Sequence, residues 1–176
     1  MTDWKAQFKT AELMAKEAHQ GQRYGNCPYH HHLQAVVNVL IEFGATLNNP
    51  ETAAILVAAW LHDSLEDSSL TYDLILNQFG QEVADIVEAV TDEPGKNRKE
   101  RKALTYVKTR QNEKAIILKL VDRIANVRAS QLDNPKKLKM YTKEQQDFEQ
   151  ALYPYSISPL SQQLWRELQH TLTAVH

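Results

Sequence analysis

Apolar residues recur along most of the chain at intervals of three and four positions, the spacing that places them on one face of a helix. In the first segment Trp4, Phe8, Ala11 and Ala15 share such a face. The 176 residues include only five glycines, and the repeated spacing favours helix rather than strand. The hydrophobic pattern therefore predicts an all-α fold.

Capping and turn residues set the boundaries of the predicted helices. A second helix is predicted from about His31 to Phe43, before Gly44. Its predicted buried residues are Leu33, Val36, Val37, Leu40 and Ile41. Asn49 and Pro50 have the residue types of an N-cap and a first helical position, so they begin the third helix. The remaining predicted helices are two short ones divided at Gly80, three over 101–110, 114–131 and 136–150, and a last one over 158–175.

The third predicted helix is apolar on all sides from Ala53 to Leu61, a pattern typical of a helix enclosed by others. It runs directly into "HDSLED", which contains His62, Asp63, Glu66 and Asp67. Removing a carboxylate from water costs free energy unless the carboxylate is paired or bound to a cation. The carboxylates at the polar end of this helix therefore need partners, and a metal ion would supply one.

Polar residues interrupt an apolar pattern at two other places. The segment "PYHHHL" places three histidines at the start of the second helix. Asp122 lies within "AIILKLVDRIANV", and Lys119 and Asn126 fall on nearly the same helix face. Imidazoles and carboxylates without thiolates favour a divalent ion such as Mn, Fe, Ni, Co, Zn or Mg. Such an ion lowers the pKa of a bound water and neutralises phosphate oxygens, as hydrolysis requires.

Each of these features also has a structural interpretation. His62 could interact with the helix dipole, the histidines at 30 and 31 could face solvent, and Asp122 could pair with Lys119 or Arg123. Their coincidence on three otherwise apolar helices favours the functional interpretation.

The order of these residues resembles the HD-domain metal-dependent phosphohydrolase superfamily, in which a histidine is followed by His-Asp and by a distant aspartate. Within it, the chain resembles the hydrolase domain of RelA/SpoT enzymes and the small alarmone hydrolases. The matching segments are "AHQGQRYGNCPYHHHLQAV", "AAWLHDSLEDSSLT", "FGQEVADIVEAVTDE" and "KLVDRIANVR". They lie within 18–128, whereas the helices of 134–176 match no motif. The resemblance implies one HD-type helical domain over 1–176, with a metal site between central helices.

The resemblance also assigns roles to individual residues. The implied metal ligands are His32, His62, Asp63 and Asp122, with Mn²⁺ the metal most associated with these hydrolases. Glu66 and Asp67 match the pair that orients or deprotonates the attacking water. The implied substrate-binding residues are Arg23, Lys119 and Asn126. The implied reaction removes the 3′-pyrophosphate of ppGpp or pppGpp and yields GDP or GTP and pyrophosphate.

The segment 96–102 contains five basic residues among seven. Two interpretations have equal weight. The segment is either a solvated helix start, with ion pairs to Glu100 that contribute little, or a flexible lid that brings Arg98 and Lys99 to a polyphosphate.

Two alternative functions stay open. The loop "GQRYGNCPY" is one residue shorter than is common in the family, and Ala125 stands where alarmone enzymes often have histidine. One alternative is therefore an HD phosphatase for another nucleotide, such as a nucleoside monophosphate or NADPH. The other is a sensor that binds nucleotide without turnover.

Composition limits the partners and the location. Twenty Lys and Arg against 22 Asp and Glu give a net charge of −2, so we expect a small-molecule nucleotide rather than nucleic acid or a membrane. The single cysteine, Cys27, excludes an internal disulfide framework, and the N-terminal segment lacks a long apolar run. We expect a cytoplasmic location, and a homo-oligomer stays open.

Overall fold

Helices dominate the computed structural model, which describes residues 2–174, and the predicted all-α class is confirmed. The chain forms two compact units that meet in sequence between Thr91 and Asp92. The single domain expected over 1–176 stays a prediction. Among the described residues, no helix has the length and apolar character needed to cross a membrane. Val175, the predicted end of the last helix, lies outside the described residues.

The first unit is organised around its third helix. Its elements are α1 (Trp4–Ala18), β1 (Arg23–Tyr24), β2 (Cys27–Pro28), α2 (His30–Glu42), α3 (Pro50–Leu61), α4 (Ser64–Asp67), α5 (Tyr72–Phe79) and α6 (Gln81–Val90). Helix α3 packs against α1, α2 and α6, and every residue from Ala53 to Leu61 is buried, as predicted. The Asn49 side chain accepts a hydrogen bond of 3.1 Å from the backbone N–H of Glu51, which confirms the predicted cap.

Helix α2 departs from the predicted burial at one position. Ile41 is 53% exposed, whereas Val39 is buried. Both faces of this helix carry apolar residues near its C-terminal end, so periodicity alone did not show which face is covered by neighbours. Gly44, just beyond the helix, has a φ of +89°, the backbone conformation expected after a helix end.

A small hairpin replaces the loop that the sequence predicted before α2. Strands β1 and β2 pair antiparallel, with Arg23 opposite Pro28 and Tyr24 opposite Cys27. The Gly25–Asn26 pair between them is a known two-residue hairpin signal, and Gly25 has a φ of +59°. Strands of two residues are too short to produce a detectable alternation.

The second unit is organised around its longest helix. Its elements are α7 (Arg98–Thr109), α8 (Glu113–Asp133), α9 (Pro135–Leu152), a 3₁₀ turn (Tyr153–Tyr155) and α10 (Pro159–Thr173). Helix α8 packs against α7, α9 and α10, and most of its middle residues are buried.

The segment 98–102, which was predicted to be either a helix start or a flexible lid, is helical, and the predicted helix start at residue 101 is three residues late. Helix α7 begins at Arg98, because the Asn97 side chain caps it by accepting a hydrogen bond of 3.0 Å from the backbone N–H of Glu100. Arg98 and Lys99 therefore lie in the first turn of a helix.

Candidate metal centre

Three of the predicted metal ligands converge in the first unit. His32 lies in the first turn of α2, and His62 and Asp63 directly follow α3. One ligand atom from each residue lies within 4.8 Å of the others. The Nε2 atoms of His32 and His62 are 3.6 and 3.1 Å from Asp63 Oδ2, and both imidazoles are buried.

A break between two helices shapes this cluster. Helix α3 ends at Leu61, and the four-residue α4 begins at Ser64, so His62 and Asp63 lie between them. The backbone carbonyl of Asp63 accepts hydrogen bonds from the N–H groups of Glu66 and Asp67. The helix is thus interrupted at its polar end, and the Asp63 carboxylate lies beside both imidazoles.

The hydrogen bonding of His62 indicates which of its ring nitrogens could bind a metal. Its Nδ1 lies 2.8 Å from the backbone oxygen of Ala59, which can only accept, so Nδ1 carries the proton. The Nε2 atom then presents a lone pair toward Asp63 Oδ2. In the neutral imidazole this nitrogen and the carboxylate oxygen, 3.1 Å apart, are both available to a cation. The donor set therefore fits a divalent cation, with the protein-backbone support usual for ligating histidines.

Two tyrosines that sequence analysis missed support the cluster. The Tyr29 hydroxyl donates a hydrogen bond of 2.6 Å to Asp63 Oδ2. The ring of Tyr24 stacks on His32, with centroids 4.7 Å apart and planes 13° apart. The "PY" pair before the histidines was the available signal for Tyr29, but its contact with Asp63 spans 34 positions and has no local pattern.

The predicted catalytic pair lies on α4. Glu66 and Asp67 are both exposed and follow Asp63 by three and four positions. The backbone oxygen of Asp67 accepts a hydrogen bond of 2.6 Å from the side-chain amide of Gln22. The structure thus places two solvent-facing carboxylates immediately after the converging ligands.

Three other predicted residues lie on α8 in the second unit. Asn126 Nδ2 donates to Asp122 Oδ1 at 2.6 Å and to its backbone oxygen at 3.0 Å. Lys119 is 9% exposed, and its Nζ lies 3.8 Å from Asp92 Oδ1. Burial raises the pKa of the Asp92 carboxyl, but Lys119 and Lys102 offset this effect and leave that pKa below its usual value. The ligand role of Asp122 stays a prediction.

The remaining predicted substrate-binding residues have protein partners. The Arg23 guanidinium, on β1, donates to the backbone oxygen of Asn26. Arg98 Nε donates to Glu144 Oε1 on α9 at 2.7 Å, and this pairing raises the pKa of Arg98. Lys99 Nζ lies 3.6 Å from Asp147 Oδ2, but the Lys99 side chain is 85% exposed.

Comparison with known proteins decides the family. A family model described as the HD domain matches residues 11–148, more than half of the chain. The chain belongs to the HD-domain family. The match begins in α1 and ends in α9, and it includes all four predicted metal ligands.

The relatives of this HD-domain protein include plant and animal proteins. It is 32% identical over 143 residues to the probable chloroplastic GTP diphosphokinase RSH2 of Arabidopsis thaliana, and the match covers 74% of this chain but only 19% of that protein. It is 36% identical over 122 residues to guanosine-3′,5′-bis(diphosphate) 3′-pyrophosphohydrolase MESH1 of Xenopus tropicalis, covering 67% of this chain and 66% of that protein.

A solved structure of a metazoan ortholog of SpoT, a protein described as hydrolysing ppGpp, has the same fold. The TM-score is 0.73 at 24% identity, and the match covers 94% of this chain and 95% of that one. This likeness supports the all-α HD fold of the present HD-domain protein.

The contact between Tyr29 and Asp63 predicts a change in metal affinity. The substitution Tyr29→Phe removes the hydroxyl that holds the ligand carboxylate, so divalent-metal affinity should fall about 10-fold or more, as for other partners of metal ligands. Titration calorimetry with Mn²⁺ measures this change.

A matched control removes the same kind of contact elsewhere. Tyr72 donates to Asp85 at 2.7 Å on α5 and α6, so Tyr72→Phe should leave metal affinity unchanged. Equal affinities for the two variants would show that Tyr29 does not position Asp63.

Proposed function

We propose that this HD-domain protein is a metal-dependent hydrolase of guanosine alarmones, which removes the 3′-pyrophosphate of ppGpp or pppGpp and yields GDP or GTP. The convergence of His32, His62 and Asp63, followed at once by the exposed Glu66 and Asp67, carries the proposal. The name of the Xenopus tropicalis relative supports this substrate class.

The proposed cofactor is one divalent ion, Mn²⁺ by resemblance to related hydrolases. His32, His62 and Asp63 would hold it, and the HD motif assigns the fourth ligand to Asp122. When bound, the ion supplies a water of lowered pKa and charge neutralisation for phosphate oxygens. Tyr29 and the Ala59 carbonyl keep Asp63 and His62 oriented for this role.

Glu66 and Asp67 are the proposed acid–base groups. A carboxylate that accepts a proton from the attacking water makes that water a better nucleophile. The carboxyl group then donates this proton to the leaving oxygen, which completes the transfer. Both side chains are exposed on α4, so a solvent-borne substrate can reach them. Their backbone N–H groups are tied to Asp63, which fixes the pair relative to the ligands.

The proposed substrate-binding residues divide into two kinds. Arg23 and Lys99 are exposed and carry their charge at the surface. Lys119, Asn126 and Arg98 are held by protein partners, so for them contact with substrate requires a shared or exchanged hydrogen bond.

The proposed setting is the cytoplasm, and the proposed partner is a small nucleotide. The near-neutral charge balance supports a locally held anion rather than a nucleic acid or membrane surface. The single cysteine supports a reducing compartment.

Product analysis tests the substrate. The manganese-loaded protein is incubated with ppGpp and, in parallel, with NADPH and deoxynucleoside monophosphates, and the products are separated by anion-exchange chromatography. We expect GDP and pyrophosphate from ppGpp and slow turnover of the rest. Phosphate release from another nucleotide with intact ppGpp would favour the other phosphatase, and binding of ppGpp without any product would favour the sensor.

Substitution of the catalytic pair tests the division of roles. Glu66→Gln with Asp67→Asn should lower kcat at least 10²-fold, the usual effect of losing acid–base groups, while metal affinity stays unchanged. Steady-state kinetics and metal content by mass spectrometry measure both quantities.

Asp73→Asn is the matched control, because it removes an exposed carboxylate from α5 of the same unit. Its kcat should equal that of the wild type. Metal loss in the Glu66 and Asp67 variant would assign these residues to the ligand set instead.

A further inference from the structure

His19 is a buried histidine outside the ligand set. It follows the last residue of α1 and is 3% exposed. Its Nε2 atom is buried and has no protein partner within residues 2–174. An apolar side chain would fill this space without the cost of burying that nitrogen. The two contacts that His19 does make therefore need an explanation.

The first contact leads to the catalytic pair. His19 Nδ1 lies 2.8 Å from Gln22 Oε1, and Gln22 Nε2 donates to the backbone oxygen of Asp67 at 2.6 Å. Since the Gln22 amide nitrogen donates to a carbonyl, its oxygen faces His19, and Nδ1 is the donor. One side chain thus bridges His19 and the C-terminal end of α4.

The second contact leads to the metal ligands. The His19 ring stacks on Tyr29, with centroids 4.8 Å apart and planes 20° apart. The Tyr29 hydroxyl donates to Asp63 Oδ2. The Tyr29 backbone N–H also donates to the backbone oxygen of Gln22 at 3.1 Å, so the two contacts are joined at the base of the β1–β2 hairpin.

Helix α4 depends on such support. It has four residues, which is far below the length at which a helix is stable by itself, and its two carboxylates face solvent. The hydrogen bond from Gln22 holds its C-terminal end to the chain segment that follows α1.

We propose that His19 is a positioning residue that links the two halves of the site: its Nδ1 holds the Glu66–Asp67 pair through Gln22, and its ring face holds the ligand Asp63 through Tyr29. The kinetic part of this inference rests on the proposed hydrolase function. The metal-affinity part and the α4 part do not.

Two substitutions separate the two contacts. His19→Asn keeps a donor near the position of Nδ1 and loses the ring, whereas His19→Phe keeps the ring and loses the donor. His19→Phe should lower kcat for ppGpp about 10-fold or more, with Mn²⁺ affinity and KM within about 2-fold of wild type. His19→Asn should lower Mn²⁺ affinity about 10-fold, with kcat at saturating metal within about 3-fold of wild type.

Gln22→Met tests the same path from its other end. It should lower kcat as much as His19→Phe does. The double variant His19→Phe with Gln22→Met should have the same kcat as either single variant, because each of the three variants breaks the same connection. Gln20→Met is the matched control: Gln20 is exposed on the same turn, and its substitution should change neither quantity.

Hydrogen exchange gives a readout that needs no substrate. Amides of residues 64–67 should exchange about 10-fold faster in His19→Phe and Gln22→Met, and at the wild-type rate in His19→Asn. If the wild type leaves ppGpp intact, the proposed substrate fails, while the exchange rates and Mn²⁺ affinities still decide the role of His19.

Parallel losses of kcat, metal affinity and exchange protection in both His19 variants would overturn the proposal, because they would show a purely structural role. Unchanged values in both variants would overturn it as well. Circular dichroism confirms that each variant is folded, and the opposite patterns expected for the two variants cannot arise from one partly unfolded state.

Discussion

The meeting of polar candidate-ligand atoms at the end of a helix that is buried from Ala53 to Leu61 is the constraint on which the first unit depends. Helix α3 is enclosed by α1, α2 and α6, and its apolar residues from Ala53 to Leu61 leave no exposed face. His62 and Asp63 come directly after it and approach His32. Such a set of imidazoles and a carboxylate is costly to bury unless a cation lies among them or their charges are paired.

The surrounding structure supports this arrangement by fixing the direction of each side chain. The Ala59 carbonyl fixes the tautomer of His62, Tyr29 holds the Asp63 carboxylate, and Tyr24 stacks on His32. Helix α4 begins after a break in the helical chain, and its Glu66 and Asp67 are exposed. Six consecutive residues, 62–67, thus supply two of the three clustered candidate ligands and both exposed carboxylates, and His32 of α2 completes the cluster.

Sequence patterns predicted the structural features whose signal lies within a few neighbouring residues or repeats at a helical period. The Asn49 cap and the enclosed helix Ala53–Leu61 were predicted from residue types and periodicity, whereas the grouping of His32 with His62 and Asp63 was implied by the resemblance to HD-domain hydrolases. The family match confirms the HD resemblance.

Features that depend on distant contacts were missed. The contact of Tyr29 with Asp63 spans 34 positions, and that of Gln22 with Asp67 spans 45, so neither leaves a local pattern. The exposure of Ile41 depends on which neighbours cover α2. The early start of α7 at Arg98 did have a local signal, the Asn97 cap, but the basic composition of the segment obscured it.

The most direct test of the central claim is anomalous diffraction at the manganese edge from crystals soaked in Mn²⁺. We expect one strong peak within about 2.0–2.5 Å of His32 Nε2, His62 Nε2 and an oxygen of Asp63, the range of divalent-metal bonds to nitrogen and oxygen. A peak bound elsewhere, or no peak at these three residues at saturating Mn²⁺, would contradict it.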